Sequence, residues 1–260
     1  MAEVSNWFGD IKSYPKEVVT ARSVDELVSI LRDHGRYPSP VRVVGSNHST
    51  SECNRLAPAE GGTLVKMAMN HISPYDASTE TVTAQAGALY IDVAQSLEPY
   101  GRQLHVNTEI GNLSLGSAAC AGSKDASFEG ECGQVGSYVV GVKMVLPSGD
   151  TLEVTEENNP ELLRLVRSSY GLFGIIYEVT LATRPLSPLA VYHKTFGIDA
   201  FKEQFQALLE RRESMMFYLF PFEDSLTIEF RHYNPVTEVP PDRLLWEVRN
   251  YLWKTTVPLV

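Results

Sequence analysis

The sequence predicts an α+β protein in two parts, and three features carry that prediction. Residues 17–67 read strand, helix, strand, strand. Residues 79–185 read as longer β-runs with helices between them, interrupted by a segment poor in charge. After the Pro-Leu-Ser-Pro run at 185–188 come a strand, a helix and two more strands. The first order suits a small βαβ-type sheet, and the last suits part of an antiparallel sheet with helices on one face.

In the first unit, "EVVTA" is a short β-run and "SVDELVSILRDHG" a helix, with Ser23 and Glu26 spaced as a capping box and Gly35 just past the end. Val24, Leu27, Val28, Ile30 and Leu31 recur at helical spacing and form one buried face. "VRVV" is a buried strand and "TLVKMA" another. This order places the residues after Val44 at the carboxyl edge of a sheet, where α/β folds hold ligands.

The second unit opens with the alternating strand "ETVTAQAG" and the helix "YIDVAQSLEPYG", ended by Gly101. The charge-poor run "NTEIGNLSLGSAACAGSKDAS" follows. "YVVGVKMVLPSGDTLEV" reads as two strands joined by a Pro-Ser-Gly-Asp turn. "NPELLRLVRSS" is a helix with Asn159 as cap and Pro160 at its first position, and "GIIYEVTLATRP" is a strand ending at Pro185. Beyond 188 the elements are "AVYHKTF", a helix from about Asp199 to Arg212, "MMFYLFPF" and "LTIEFRHYN", with an apolar amphipathic helix in "DRLLWEVRNYLWKTTVPLV". That sheet reads as unfinished, so a further C-terminal part or a partner is expected to complete it.

At 260 residues the chain can bury a sizeable core. Its 43% apolar and 21% charged residues are ordinary for a globular protein, and the net charge of −10 with scattered Lys and Arg argues against nucleic acid. No apolar run approaches the roughly 20 residues that cross a bilayer, so no membrane partner is expected. The polar N-terminus has no hydrophobic h-region. Cys53, Cys120 and Cys132 fit neither a zinc site nor a disulfide framework, so a reduced cytoplasmic protein without a metal is expected.

The turn "GSNHS" is the first place with chemistry. Gly45 permits a sharp turn and close backbone approach. Ser46, Asn47 and Ser49 add donors, and successive amides can cradle an anion such as a pyrophosphate. With a pKa near 6.5 a lone imidazole is a poor counter-charge for phosphate; His48 reads instead as a nucleophile toward an electron-poor methyl group, or as a hydrogen-bonding turn residue. The segment at 107–125 has too many small residues for a packed helix and too few charges for a solvated linker. It reads either as close backbone contact with something flat or phosphorylated, or as a packing seam between sheets. Neither G-x-G-x-x-G after the first strand nor a Walker lysine motif is present, so another dinucleotide fold is required.

Taken in order, "NWFGDIKSYPKEVVTARSVDELVSILRD", "VRVVGSNHS", "GSAACAGSKDAS", "GVKMVLPSGD" and "SSYGLFGIIYEVTL" resemble the FAD-linked oxidases of the vanillyl-alcohol oxidase and p-cresol methylhydroxylase superfamily. The nearest branch is the sugar oxidases, acting on aldonolactones and alditols. The resemblance covers about residues 6 to 185. It implies a two-subdomain FAD-binding domain of the p-cresol methylhydroxylase type at 1–185, and part of an antiparallel-sheet substrate (cap) domain at 186–260.

By this resemblance His48 is the site of covalent attachment to the 8α-methyl of the flavin, with Gly45, Ser46, Asn47 and Ser49 at the pyrophosphate. Ser114, Ser117 and Ala121, Gly122, Ser123 and Lys124 match positions lining flavin and pyrophosphate, and Ile176 the strand residue whose backbone reads the adenine. Ile110 stands where doubly tethered members have cysteine, so a single tether is expected and Cys120 is packing. Thr108 replaces the usual Gly or Ala beside the oxygen-reactive carbon, which would slow oxygen and favour another acceptor. Glu109 next to it would bind a substrate hydroxyl or act as a base, the alternative being an ordinary surface carboxylate. The family's "G-T-H-G" is "G-S-K-D" here.

The implied reaction takes a hydride from the CH–OH carbon of a polyol, sugar lactone or related alcohol, and passes electrons to oxygen or another acceptor. A second polypeptide or a homo-oligomer would complete the cap. Two readings compete: a flavin-binding module without activity of its own, and a berberine-bridge-like or nicotine-oxidase-like enzyme. His193, Arg231 and His232, isolated on cap strands, read as structural or exposed.

Overall fold

The computed structural model describes residues 2–59, 61–108, 110–220 and 222–233, together with Val248, Tyr251 and Leu252. The expected C-terminal helix lies outside the described residues except at those three positions.

A two-stranded antiparallel ribbon, β1 (Val4–Ser5) and β2 (Lys12–Ser13), opens the chain. Then come β3 (Glu17–Ala21), α1 (Val24–Arg32), β4 (Val41–Val44) and β5 (Thr63–Met67). The three strands are parallel in the order β3-β5-β4, so the last to be made lies in the centre. Ser23 caps α1 by accepting the Glu26 amide at 3.2 Å, which satisfies one of the orphan donors of the first turn. Glu26 answers by accepting the amide of Arg22, one residue before the cap. Leu27, Ile30 and Leu31 are buried with Ala21 and Val65 below them and with Val145 and Ile175 of the second sheet. Helix α1 thus joins the two sheets into one core.

The second sheet contains β6 (Thr81–Gln85), β7 (Arg102–Leu104), β8 (Val139–Val145), β9 (Thr151–Thr155) and β10 (Ile175–Pro185). Its order is β6-β10-β8-β9, all antiparallel, with β7 pairing the far end of β10. Helices α2 (Tyr90–Leu97), α3 (Leu115–Cys120) and α4 (Pro160–Val166) share a large apolar cluster with it, including Val93, Leu97, Leu115, Leu163, Met144 and Val179. Lys143 and Glu178, paired at 2.8 Å, and Thr83 and Thr180, 2.9 Å apart, mark its polar positions. The Asn159 side chain accepts the Leu162 amide and Pro160 begins α4, as their types predict. Gly101, at φ 64°, turns the chain from α2 into β7.

One expectation is corrected. The small-residue segment does contain a packed helix, α3. A Cβ on Gly116 would lie 2.8 Å from that of Ala86, so the helix approaches that backbone at glycine and alanine distance. The same small residues that weaken an isolated helix let this one sit in the seam.

The third sheet is β11 (Leu189–Gly197), β12 (Ser214–Leu219) and β13 (Ser225–Tyr233), antiparallel in the order β11-β13-β12. Helix α5 (Ile198–Glu210) covers one face, where Leu208 meets Phe196, Leu226, Ile228 and Phe230. The helix begins one residue before the expected start and ends two before the expected stop. The architecture is α+β: two sheet subdomains followed by an antiparallel sheet with a helix on one side.

Candidate functional site

The end of β4 delivers the chain into the turn at 45–49. A side chain at Gly45 would place its Cβ 1.8 Å from the hydroxyl oxygen of Ser114. Glycine is therefore required here by the second loop itself, and the two sequence-predicted loops meet at this point. Ser114, 3% exposed, donates to the Ser117 hydroxyl at 3.0 Å. Asn47 takes the left-handed conformation, φ 56°, which asparagine tolerates better than most residues.

The amino-terminal segment holds the turn in place. Asn47 donates from its side chain to the Ser5 carbonyl at 2.5 Å, and its own carbonyl accepts the Trp7 amide at 3.0 Å. Asn6, 5% exposed, donates to the Ser49 carbonyl at 3.0 Å. The Ser49 hydroxyl donates to the Ser51 carbonyl at 2.9 Å. The side chains of Asn47 and Ser49 and the carbonyls of both residues thus build the turn, beside half-buried Ser46 and His48. His48 Nδ1 is fully shielded, yet no described residue offers it a hydrogen bond. An imidazole nitrogen buried without a partner is costly. The Trp7 indole stands beside this ring, centroids 5.7 Å apart and planes at 37°.

On the other side, α3 closes with the Ala121 amide on the Ser117 carbonyl at 2.9 Å, and Gly122 turns at φ 66°. Val135 donates to the Ser123 carbonyl and Asp125 to the Gly133 carbonyl, both at 2.9 Å, with a bridge between Lys124 and Gln134. The first two amides of α3, on Leu115 and Gly116, are already bonded to the carbonyls of Ala88 and Ala86. Buried Cys120 packs in the main cluster, and burial pushes its thiol up to about 11, far from a reactive thiolate. Ile176 belongs to the same cluster, opposite Met144, just before a register shift in β10. The Thr108 hydroxyl donates to the Ile110 carbonyl at 3.3 Å. Glu109 lies outside the described residues.

The third sheet brings a polar group to Asp125. Arg231 reaches Asp125 at 2.6 Å and also contacts Glu229, with side chains 11% and 3% exposed for Arg231 and Asp125. Glu229 accepts from Tyr218 at 3.2 Å and pairs with His193 at 2.9 Å. Burial alone would raise the Glu229 carboxyl, but the bonds from Arg231, His193 and Tyr218 outweigh it and hold it below the ordinary value. Burial likewise opposes the charge on Arg231, and its bonds to Glu229 and Asp125 more than restore it. His232 Nδ1 is shielded and without a partner, as is His105 Nδ1. Burial, aided by Arg184, lowers the His105 value, and its ring stacks on Tyr138 at 4.0 Å. Among the described residues no cluster of three or more His, Cys, Asp or Glu could hold a metal, and no helix is long and apolar enough to cross a membrane.

The same architecture occurs in solved structures. Alkyldihydroxyacetonephosphate synthase superposes with a TM-score of 0.70 at 16% identity over 95% of this chain and 51% of its own. 6-Hydroxy-D-nicotine oxidase of Arthrobacter nicotinovorans gives 0.67 at 17% identity, over 85% of this chain and 51% of its own. The chain shares the fold of both structures. A family model described as an FAD binding domain matches residues 15–155, and the chain belongs to that family.

Bovine (Bos taurus) L-gulonolactone oxidase is 23% identical over 248 residues, 95% of this chain and 54% of the oxidase. Mitochondrial L-galactono-1,4-lactone dehydrogenase of Brassica oleracea is 22% identical over 225 residues, 86% and 37% of the two chains. A putative D-arabinono-1,4-lactone oxidase of Neurospora crassa is 27% identical over 221 residues, 83% and 38%. The chain thus spans 37% to 54% of the length of these relatives.

Asn6 and Trp7 were not legible as site residues. They stand in the stretch "NWFGD", whose only signal was its place in the resemblance.

Proposed function

We propose that this chain is the FAD-binding part, with a portion of the cap, of an oxidoreductase that takes a hydride from the CH–OH group of a polyol, sugar lactone or related alcohol. The FAD is held covalently through His48. The observation that carries this reading is the shielded, unpartnered Nδ1 of His48 at the carboxyl edge of the parallel sheet, in a family that binds FAD. The residues fit the cofactor: a turn braced by Asn6 and Asn47 carries an imidazole whose Nδ1 has no partner among the described residues.

When bound, the flavin supplies the two-electron chemistry. The chain's own residues position and shield. Gly45, Ser46, Asn47 and Ser49 form the pyrophosphate turn. Ser114, Ser117 and residues 121–124 line flavin and pyrophosphate, and the Ile176 backbone meets the adenine. Thr108 would stand beside the flavin, where its bulk would bias the acceptor away from oxygen. Glu109 binds a substrate hydroxyl or removes its proton. The FAD-binding domain runs from 1 to 185 and the cap portion from 186 to 260.

A second reading is a flavin-binding module completed by another polypeptide or a second copy. The test begins with acid precipitation of the expressed chain. Yellow colour and in-gel fluorescence that survive denaturation and vanish in His48→Ala support the covalent FAD. A folded but colourless chain rejects it. Peroxide and dye-reduction assays across alditols and aldonolactones then separate enzyme from module, and activity that needs a second polypeptide selects the module.

A further inference from the structure

Trp7 and Phe8 are 57% and 70% exposed, yet the backbone that carries them is firmly tied. The Asn6 side chain accepts the amides of Gly9 at 2.9 Å and Ile11 at 3.2 Å, and donates to Asp10 at 2.7 Å as well as to Ser49. Gly9 turns at φ 82°. With the Trp7 amide on Asn47 and the Asn47 side chain on Ser5, the segment clasps both sides of the turn that presents His48. Phe8, Trp7 and His48 run as a row of rings, 5.5 Å and 5.7 Å between successive centroids. A large indole fixed in place with more than half its surface in water suggests a face made for something flat. It stands beside an imidazole whose shielded nitrogen is itself without a partner.

We propose that Trp7 is a cofactor-positioning residue: its indole is the wall against which the flavin ring rests once His48 holds it, and it keeps the imidazole beside that ring. This inference rests on the FAD reading above. The clasp explains why a turn of polar residues needs an aromatic from the far end of the chain. Asn6 and Asn47 fix the backbone and Trp7 stands against the ring, while Ser114 packs directly on Gly45 behind the turn. An electron-rich indole in contact with an electron-poor flavin also quenches the light the flavin emits, and contact range is needed for that transfer.

The test uses the full chain with Trp7→Phe and Trp7→Ala, each checked by circular dichroism and thermal unfolding. Flavin emission is expected to rise in the folded Trp7→Phe protein, while its acid-stable flavin is retained because a flat ring still backs the site. Trp7→Ala is expected to lose most of the acid-stable flavin at an unfolding temperature close to the parent's, a loss that Trp7→Phe rescues. A yellow parent whose flavin emission and acid-stable fraction ignore both substitutions overturns this inference and leaves the FAD reading standing. Equal loss in both variants with lowered unfolding temperatures makes Trp7 merely structural and also overturns it. A folded parent without flavin overturns both together.

Discussion

The turn at His48 and the cluster at Arg231 are both built of polar groups removed from water, and they solve that problem in opposite ways. Arg231 is flanked by Asp125 and Glu229, and Glu229 is bonded again by His193 and Tyr218. That network meets its own needs. At the turn every neighbour is engaged in holding the backbone, and one ring nitrogen is left with nothing. His105 and His232 share an unpartnered Nδ1 with His48; what sets His48 apart is its place on the braced turn after the parallel sheet of an FAD-binding family. The contrast turns on how demand is met, because charge and burial are greater at Arg231.

Several substitutions would break the comparison or sharpen it. The largest effect is expected at the cluster. Arg231→Leu leaves two carboxylates buried without their cation, and should cost about 3–5 kcal/mol of unfolding free energy in urea. A loss near zero would show the network to be ornamental. Next comes Gly45→Ala, whose Cβ must displace Ser114. Overpacking of this kind costs about 1–3 kcal/mol, and bound flavin should fall with it, read as the ratio of visible to ultraviolet absorbance.

The acid limb of stability should reveal Glu229. Its folded value lies below its free value of 4.5, so its contribution is complete above that pH and fades as pH falls through the lower folded value. Urea midpoints measured downward from pH 4.5 should drop less steeply in Glu229→Gln than in the parent. The smallest stability effect belongs to His48→Ala, about 1 kcal/mol or less, although it should abolish the acid-stable flavin. A histidine whose removal unfolds the protein would belong with the self-satisfied groups instead.

Much of this fold is legible in the sequence. Local chemistry announced its elements: Asn159 and Pro160 set the start of α4, Ser23 that of α1, and the Pro-Ser-Gly-Asp turn the β8–β9 hairpin. What failed depended on partners distant in sequence. Helix α3 was hidden because the residue that demands its glycine, Ala86, lies far upstream. The three-residue β7 is too short to show a period and exists by pairing with β10. At the site, Gly45 and His48 could be singled out by type, whereas their dependence on Ser114, Asn6 and Trp7 exists only once the loops meet. Asp125 looked like a departure from a glycine-containing pattern, and only the fold supplied its arginine.

The strand order of the first sheet has a consequence for how the protein is made. Strands β3 and β4 do not bond to each other; β5 lies between them and is synthesised after both. A nascent chain halted before Thr63 already contains the histidine but has no sheet edge on which to mount it. The turn therefore gains its sheet only after translation has passed β5, and it meets Ser114 later still.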